Sequence, residues 1–307
     1  MSDRAEWLAW RRSGIGASDV AGILGVSPWS SPWSVWADKL GLTPDAVDSD
    51  RMEFGRRAEG LLADYFAART GLVVRGEQTR CTHPDEPWMI CTLDGYACDG
   101  QEPVGLFEAK TTGDAPWDEV PVYYVAQAQW QMAVTGMDRV WFGVLHLAFG
   151  RPAFRVYEVA ADREDMAAMV AACRAFWCDH VAAQVAPAAD GHDATGAAIA
   201  AAWADSDPDA VAEADADLEA CVEHLRQLKA DAKALDAAIA EAENTIKAAI
   251  GSAEALRALD GTDLATWRSQ DRTAVDVAAL RAAAPDLVAA HTTTTSSRVL
   301  RLKKGRR

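Results

Sequence analysis

The sequence has no run of apolar residues long enough to cross a bilayer, and its opening, MSDRAEWLAWRRSG, lacks the apolar segment of a secretory signal. The chain is therefore expected to be soluble and cytoplasmic, with no membrane partner. Cysteine is sparse: Cys81, Cys91, Cys98, Cys173, Cys178 and Cys221 are scattered and form no CxxC pair. Free thiols are expected rather than a disulfide framework. The six histidines are isolated, with no HxxxH or HExxH, so zinc has no signature here. Positive charge is also short, with 30 Lys and Arg against 46 Asp and Glu and a formal net charge of -16. Such a surface repels polyanions at long range, so nucleic acid could be held only by local basic patches. The remainder is ordinary globular material, 50% hydrophobic and 25% charged, which excludes wholesale disorder. The length, 307 residues, suits about two domains.

Composition divides the chain. Nearly all aromatic residues precede residue 185, and only Trp203 and Trp267 of the twelve tryptophans follow it. Residues 1–186 read as one domain. Residues 187–208 (PAADGHDATGAAIAAAWADSDP) mix Pro, Gly, Asp and Ala and read as a linker. Residues 209–307 read as a long amphipathic helix plus a small C-terminal module. The helix is marked by Val222, Leu225, Leu228, Ala232, Leu235, Ile239, Ala242, Ile246 and Ala249, spaced by threes and fours. Its partner is another helix, either within the chain, as one leg of a hairpin, or in a second copy. Beyond Gly251 a short strand, a helix and a closing strand are expected. The last ten residues carry Arg298, Arg301, Lys303, Lys304, Arg306 and Arg307 with no acid among them, a candidate phosphate contact.

In the first part, helices are expected over 17–24, opened by Ser18, over 34–40, over 52–70 and over 121–135. In the third of these, Phe54, Ala58, Leu61, Leu62, Tyr65 and Phe66 should mark the buried side. Strands are expected over 72–75, 88–93, 104–110, 140–147 and 153–159. Mixed strands wrapped by helices make an α/β or α+β core.

The stretch most informative about chemistry runs from Trp88 to Lys110. Asp94 sits where one strand ends or bends and Glu108 on the strand that follows, so pairing the two would bring both carboxylates to one edge. Hard cations such as Mg²⁺ suit a few carboxylates with retained waters and substrate phosphate. On a strand Glu108 and Lys110 share a face while Ala109 turns to the other, and the Ala109 carbonyl could be a further ligand. Lys110 beside a metal-bound water would orient it or stabilise developing charge. It would act as a base only if its own pKa were depressed. GIGAS (Gly14–Ser18) is not a Walker loop, because the Gly-Lys-Ser/Thr that cradles a nucleotide is missing, so ATP has no support. A glycine-rich turn entering a helix does offer N–H groups to an anion. Trp29, in a Pro-rich loop, is a candidate stacking surface for unpaired bases, whereas Trp7 and Trp36 are expected in the core.

The spacing of Asp94, Glu108 and Lys110, D-x(13)-E-x-K, resembles the PD-(D/E)xK nuclease superfamily. The flanks narrow the resemblance. WLAWRRSGIGASDVAGILG (Trp7–Gly25), SPWSSPWSVWADKLGL, FGRRAEGLLADYF, LDG, EAK and YYVAQAQWQMAVTG follow one another from residue 7 to about 159. Together they are similar to the YqaJ and lambda-exonuclease branch. The resemblance implies a restriction-endonuclease-like core, a mixed sheet flanked by helices. It implies a Mg²⁺-dependent exonuclease, with Mn²⁺ as a substitute metal, that digests duplex DNA ends from 5′ to 3′ for phage-type recombination. It further implies a phage or prophage origin in a bacterial cytoplasm, a single-strand annealing recombinase as partner, and a homo-oligomer, since the family includes ring-shaped trimers.

Carried onto this sequence, the resemblance makes Asp94, Glu108 and the Ala109 carbonyl metal ligands, with Glu59 helping to hold a second metal and Lys110 as the catalytic lysine. Gln127 would orient water or phosphate, and Gln131, one turn on, could share its face as a DNA or phosphate contact. Arg11 and Ser18 would contact the phosphate at the cut or the new 5′ end. Two alternatives stand beside this reading. A Cas4-like nuclease with an iron–sulfur cluster needs one upstream cysteine and a downstream triplet, which irregularly spaced Cys173, Cys178 and Cys221 match poorly, so no cluster is expected. A non-catalytic DNA-end-binding scaffold that recruits an annealing protein has no physical need of Glu59, Asp94, Glu108, Lys110 and Gln127 together.

Overall fold

The structure, a computed structural model, describes residues 3–45 and 48–303. It divides into two compact units, residues 1–204 and 205–307. The first opens with helices α1 (Asp3–Arg12), α2 (Ala17–Ile23), α3 (Pro32–Lys39) and α4 (Asp50–Thr70). Strands β1 (Val73–Arg75), β2 (Thr79–Thr82), β3 (Ile90–Leu93), β4 (Gly95–Asp99) and β5 (Glu102–Thr112) follow. Helix α5 (Val122–Thr135) then crosses to β6 (Arg139–His146), and β7 (Ala153–Ala160), α6 (Arg163–Phe176) and α7 (Asp193–Ala202) complete the unit. The main sheet has the order β1-β4-β5-β6-β7. It is antiparallel except for β5 and β6, which pair in parallel because α5 carries the chain back across the sheet. Strands β2 and β3 form a separate antiparallel ribbon.

Alternation along β5 sorts the core. Leu106, with Val140, Phe142 and Val144 of β6, packs under α2, α3, α5 and α6. Phe107 packs with Ala97 and Phe154 against Ala58, Leu62 and Phe66 of α4. Helix α4 buries only that stripe; Phe54, Leu61 and Tyr65, expected inside, are exposed. A single helix on a sheet face needs one residue per turn toward it, and i, i+4, i+8 supply that. Truncating the fully buried Phe66 to Ala would cost about 3–5 kcal/mol.

Two glycines permit close approaches that position the site. A Cβ on Gly14 would lie 2.4 Å from the Trp88 carbonyl oxygen, where Ile15 N–H donates to Trp88 O at 2.7 Å and Ile90 N–H to Ile15 O at 3.0 Å. A Cβ on Gly95 would meet Val74 Cγ1 at 2.4 Å, so the residue after Asp94 must be glycine for β1 to pair with β4.

The structure corrects several expectations. The 187–208 linker contains α7, which packs on α3, with Trp203 edge-on to Trp33 at 5.4 Å and Thr195 Oγ1 donating to Ser31 Oγ at 2.7 Å. The Ala-rich stretch therefore completes the first unit, which ends at residue 204. Helix α2 is capped at Gly16, not Ser18. Trp36 is buried as expected, but Trp7 is half-exposed. The second unit consists of α8 (Ala216–Ile250), the hairpin β8 (Ala255–Arg257) and β9 (Asp263–Thr266), and helices α9 (Val277–Ala283) and α10 (Pro285–Ala290). The closing strand does not form among the described residues, where 292–303 has no regular structure. Of the basic cluster, Lys304, Arg306 and Arg307 lie outside the described residues. Among the described residues no helix is long and apolar enough to cross a membrane.

Candidate active site

The β4–β5 hairpin sets the geometry. Its register pairs Gly95 with Phe107, so the next step outward places Asp94 opposite Glu108, where β4 has ceased to pair. The backbone of β5 is free there, and Ala109 N–H donates to Asp94 Oδ2 at 2.9 Å. In an extended strand the N–H and C=O of one residue point to the same side, so the Ala109 carbonyl faces that edge too.

Glu108 projects from the opposite face of β5 toward α5 and is buried. Three donors hold it. Lys110 Nζ and Gln127 Nε2 reach Oε1 at 2.8 and 2.5 Å, and Gln131 Nε2 reaches Oε2 at 2.7 Å. Gln127 and Gln131 are one turn apart on α5 and so aim at the same carboxylate. Gln131 is only 1% exposed. It is a brace behind Glu108 and not the DNA-facing residue expected, and among the described residues its Oε1 has no hydrogen-bond partner.

Glu59 enters from α4. Gln78 joins it to the sheet, its Nε2 lying 3.0 Å from Glu59 Oε2 and 3.5 Å from Asp94 Oδ1. Gln78 holds a left-handed backbone, φ 57°, uncommon for a residue with a side chain. Tyr124 also enters the site, its ring centroid 4.9 Å from Lys110 Nζ. All of these groups except Gln78 and the two α5 glutamines line one open pocket of about 390 Å³, with Arg51 and Arg56 on its wall.

The electrostatics follow from burial. Burial, then the charge of Glu108, push the Asp94 carboxyl up to about 8. Glu59 is raised for the same two reasons, against the pull of Gln78. Burial works against the Lys110 ammonium, but Glu108 and Asp94 outweigh it and hold its pKa above the ordinary lysine value. Glu108 and Asp94 therefore hold Lys110 as a cation. Among the described residues no three acidic, His or Cys side chains form a metal cage by themselves.

Arg11 and Ser18 line a second, smaller hollow of about 140 Å³, with Trp7, Gly16, Thr92 and Gln127. Gln127 thus stands between the two hollows. Behind the turn, Asp19 is buried and accepts from Gly16 N–H at 2.8 Å, from Lys39 Nζ at 2.5 Å and from Arg11 Nη2 at 3.4 Å. Arg11 also meets Asp38 at 3.4 Å, so its guanidinium is anchored on one side. Trp29 is 60% exposed and stands edge-on to Tyr123 at 4.9 Å.

The chain matches a known family over this part. Residues 6–138 match the model of the YqaJ-like viral recombinase domain. The protein YqaJ of Bacillus subtilis is 29% identical over 292 residues, spanning 92% of this chain and 89% of its own. Among solved structures, the alkaline exonuclease LHK-Exo of Laribacter hongkongensis is similar with TM-score 0.46 and 21% identity, covering 59% of this chain and 94% of that one. A phage-related exonuclease of Haemophilus somnus has TM-score 0.43 and 11% identity, covering 56% and 96%.

Sequence reasoning misses Gln78, Tyr124 and the Asp19–Lys39 pair. Gln78 carries no local signal, being placed by a turn. Tyr124 lies within YYVAQAQWQ, where its offset of three from Gln127 puts it on the same face of α5.

Proposed function

We propose that the YqaJ-like domain is a divalent-metal-dependent deoxyribonuclease that digests linear duplex DNA from 5′ to 3′ and leaves 3′ single strands for recombination. The observation that carries this reading is the hairpin register that sets Asp94 against Glu108 with Lys110 alongside. The donor chemistry fits a hard cation: two carboxylates and a backbone carbonyl are all oxygen. The acid groups also resist ionising together, Asp94 being held up to about 8, and a divalent ion relieves that repulsion. Asp94, Glu108 and the Ala109 carbonyl would hold Mg²⁺ or Mn²⁺, with Glu59 toward a second ion. Bound there, the metal supplies an acidified water and neutralises charge on the scissile phosphate.

The chain's own residues do the rest. Lys110, kept protonated, stabilises negative charge developing on the phosphate. Gln127 lines the smaller hollow and donates to Glu108, which lines the larger, and aligns the phosphate or the attacking water between them. Arg11 and Ser18, with the N–H groups that open α2, receive a phosphate in the smaller hollow. Trp29 gives an unpaired base a face to stack on. Gln131 and Gln78 touch no substrate; they fix Glu108 and tie Glu59 to Asp94. The 3′ strands left behind are substrates for a single-strand annealing recombinase, which makes such a protein the partner.

The test is digestion of 5′-phosphorylated linear duplex with Mg²⁺, with and without chelator, alongside Asp94→Ala. Loss of duplex from labelled 5′ ends, dependent on both metal and Asp94, is expected. Equal digestion by both proteins would remove the assignment.

A further inference from the structure

Helix α8 is 35 residues long, about 52 Å, and its own unit covers little of it. Ile250 is buried at one end and Val222 and Leu225 are half-buried at the other. Between them Leu228, Leu235, Ile239 and Ile246 are 42% to 63% exposed. These residues fall on a heptad seam. Leu218, Leu225, Ala232, Ile239 and Ile246 occupy one seam position (a), and Cys221, Leu228, Leu235, Ala242 and Ala249 the other (d). A water-exposed apolar seam over five heptads is a helix lacking its partner.

We propose that the partner is α8 of a second copy of this chain, running antiparallel in a register that aligns the two helices end to end. In that register every a residue meets a d residue of the other copy. The layers are Leu218 with Ala249, Cys221 with Ile246, Leu225 with Ala242, Leu228 with Ile239, and Ala232 with Leu235. Each alanine thus faces a leucine, and the seam has an even width. The flanks agree, because Lys229 faces Asp236 of the other copy twice across the two-fold axis and no like charges meet. The parallel alternative is poorer on both counts. It stacks Ala232, Ala242 and Ala249 on themselves and sets Asp231 beside Asp236 of the other copy on both sides. Complementary size and charge therefore select both a second copy and its direction.

The experiment uses the full-length chain. Sedimentation is expected to give a dimer, and Leu235→Glu with Ile239→Glu a monomer whose circular dichroism melt keeps the transition of the first unit. Charge reversal reads direction. Asp236→Lys sets the introduced ammonium beside Lys229 of the other copy and weakens the dimer at least tenfold, and adding Lys229→Asp restores it. In a parallel pair Asp236→Lys would instead tighten association through Asp231. Mild oxidation gives a second readout. Ile246→Cys is expected to form a covalent dimer joined from Cys221 to position 246, seen by mass spectrometry of the linked peptides. A wild-type dimer linked Cys221 to Cys221 would establish parallel pairing and overturn the proposal. A monomer at all concentrations, or association that survives the Leu235 and Ile239 changes, would overturn it equally. None of these readouts depends on nuclease activity.

Discussion

Replacing Lys39 with Met should be among the most damaging single changes outside the main pocket. Lys39 Nζ has no exposed surface, and the Asp19 side chain is 4% exposed. The ammonium bridges Asp19 Oδ2 at 2.5 Å and the Arg11 carbonyl oxygen at 2.8 Å. Removing it leaves a buried carboxylate with one backbone N–H and a longer contact to Arg11. Breaking one side of a buried pair costs about 3–5 kcal/mol. For a domain whose stability is roughly 5–15 kcal/mol in total, this is a large share. Replacing both residues, as Asp19→Leu with Lys39→Met, removes the uncompensated charge. It should cost less than Lys39→Met alone, the remainder being the lost acceptor of Gly16 N–H and the lost donor to the Arg11 carbonyl, about 1 kcal/mol each. The pH dependence has a definite sign. Burial raises the Asp19 carboxyl, but Lys39 and then Arg11 outweigh it and the group titrates below its ordinary value. Its contribution is complete above the unfolded carboxyl pKa, about 4, and is lost as pH falls through the depressed folded value. Urea unfolding of residues 1–204 at pH 7 and at stepped lower pH would measure both effects. Additive single-variant costs of under about 1 kcal/mol would refute the reasoning.

Lys110→Ala should abolish duplex cleavage while DNA binding, read by gel shift, persists, because the carboxylates and Arg11 remain; loss of both would make the lysine an anchor for the phosphate. In chelator, thermal stability should fall between about pH 4 and pH 8, since folded Asp94 keeps until about 8 a proton the unfolded chain releases near 4. Asp94→Asn should flatten that slope, and an unchanged slope would place the titration elsewhere. Ending the chain at residue 204 should leave a cooperative melt by circular dichroism. Ending it at 187 should lower the midpoint by several degrees, because Trp33 and Ser31 lose Trp203 and Thr195; equal midpoints would show α7 to be dispensable.

Much of the site is legible in the sequence because hairpin arithmetic is local. The thirteen residues between Asp94 and Glu108 fit one tight hairpin, and i, i+2 placement on β5 and i, i+4 placement on α5 fix Lys110 and the two glutamines about Glu108. Strand β4 itself is not legible: GYACD lacks β-branched residues and is bounded by glycines that read as turn. Periodicity draws the buried stripe of α4 too wide, since it reports which residues could face a sheet and not how many turns of partner exist. Gln78 and the Asp19–Lys39 pair are beyond its reach. Both join separate elements through geometry that no local spacing encodes. The boundary at 204 in place of 186 escapes composition because an Ala-rich, Pro-flanked segment looks like a tether until Trp33 is seen to need covering.

One consequence of the frayed hairpin concerns what selection can act upon at position 109. Both polar groups that Ala109 presents at this edge belong to the main chain, so any small residue other than proline preserves them. Only proline, which removes the amide hydrogen, or an ester placed there by chemical synthesis would edit this part of the machinery. Mutational scans should therefore score position 109 as tolerant of size-matched replacements even though its backbone lies against the carboxylates.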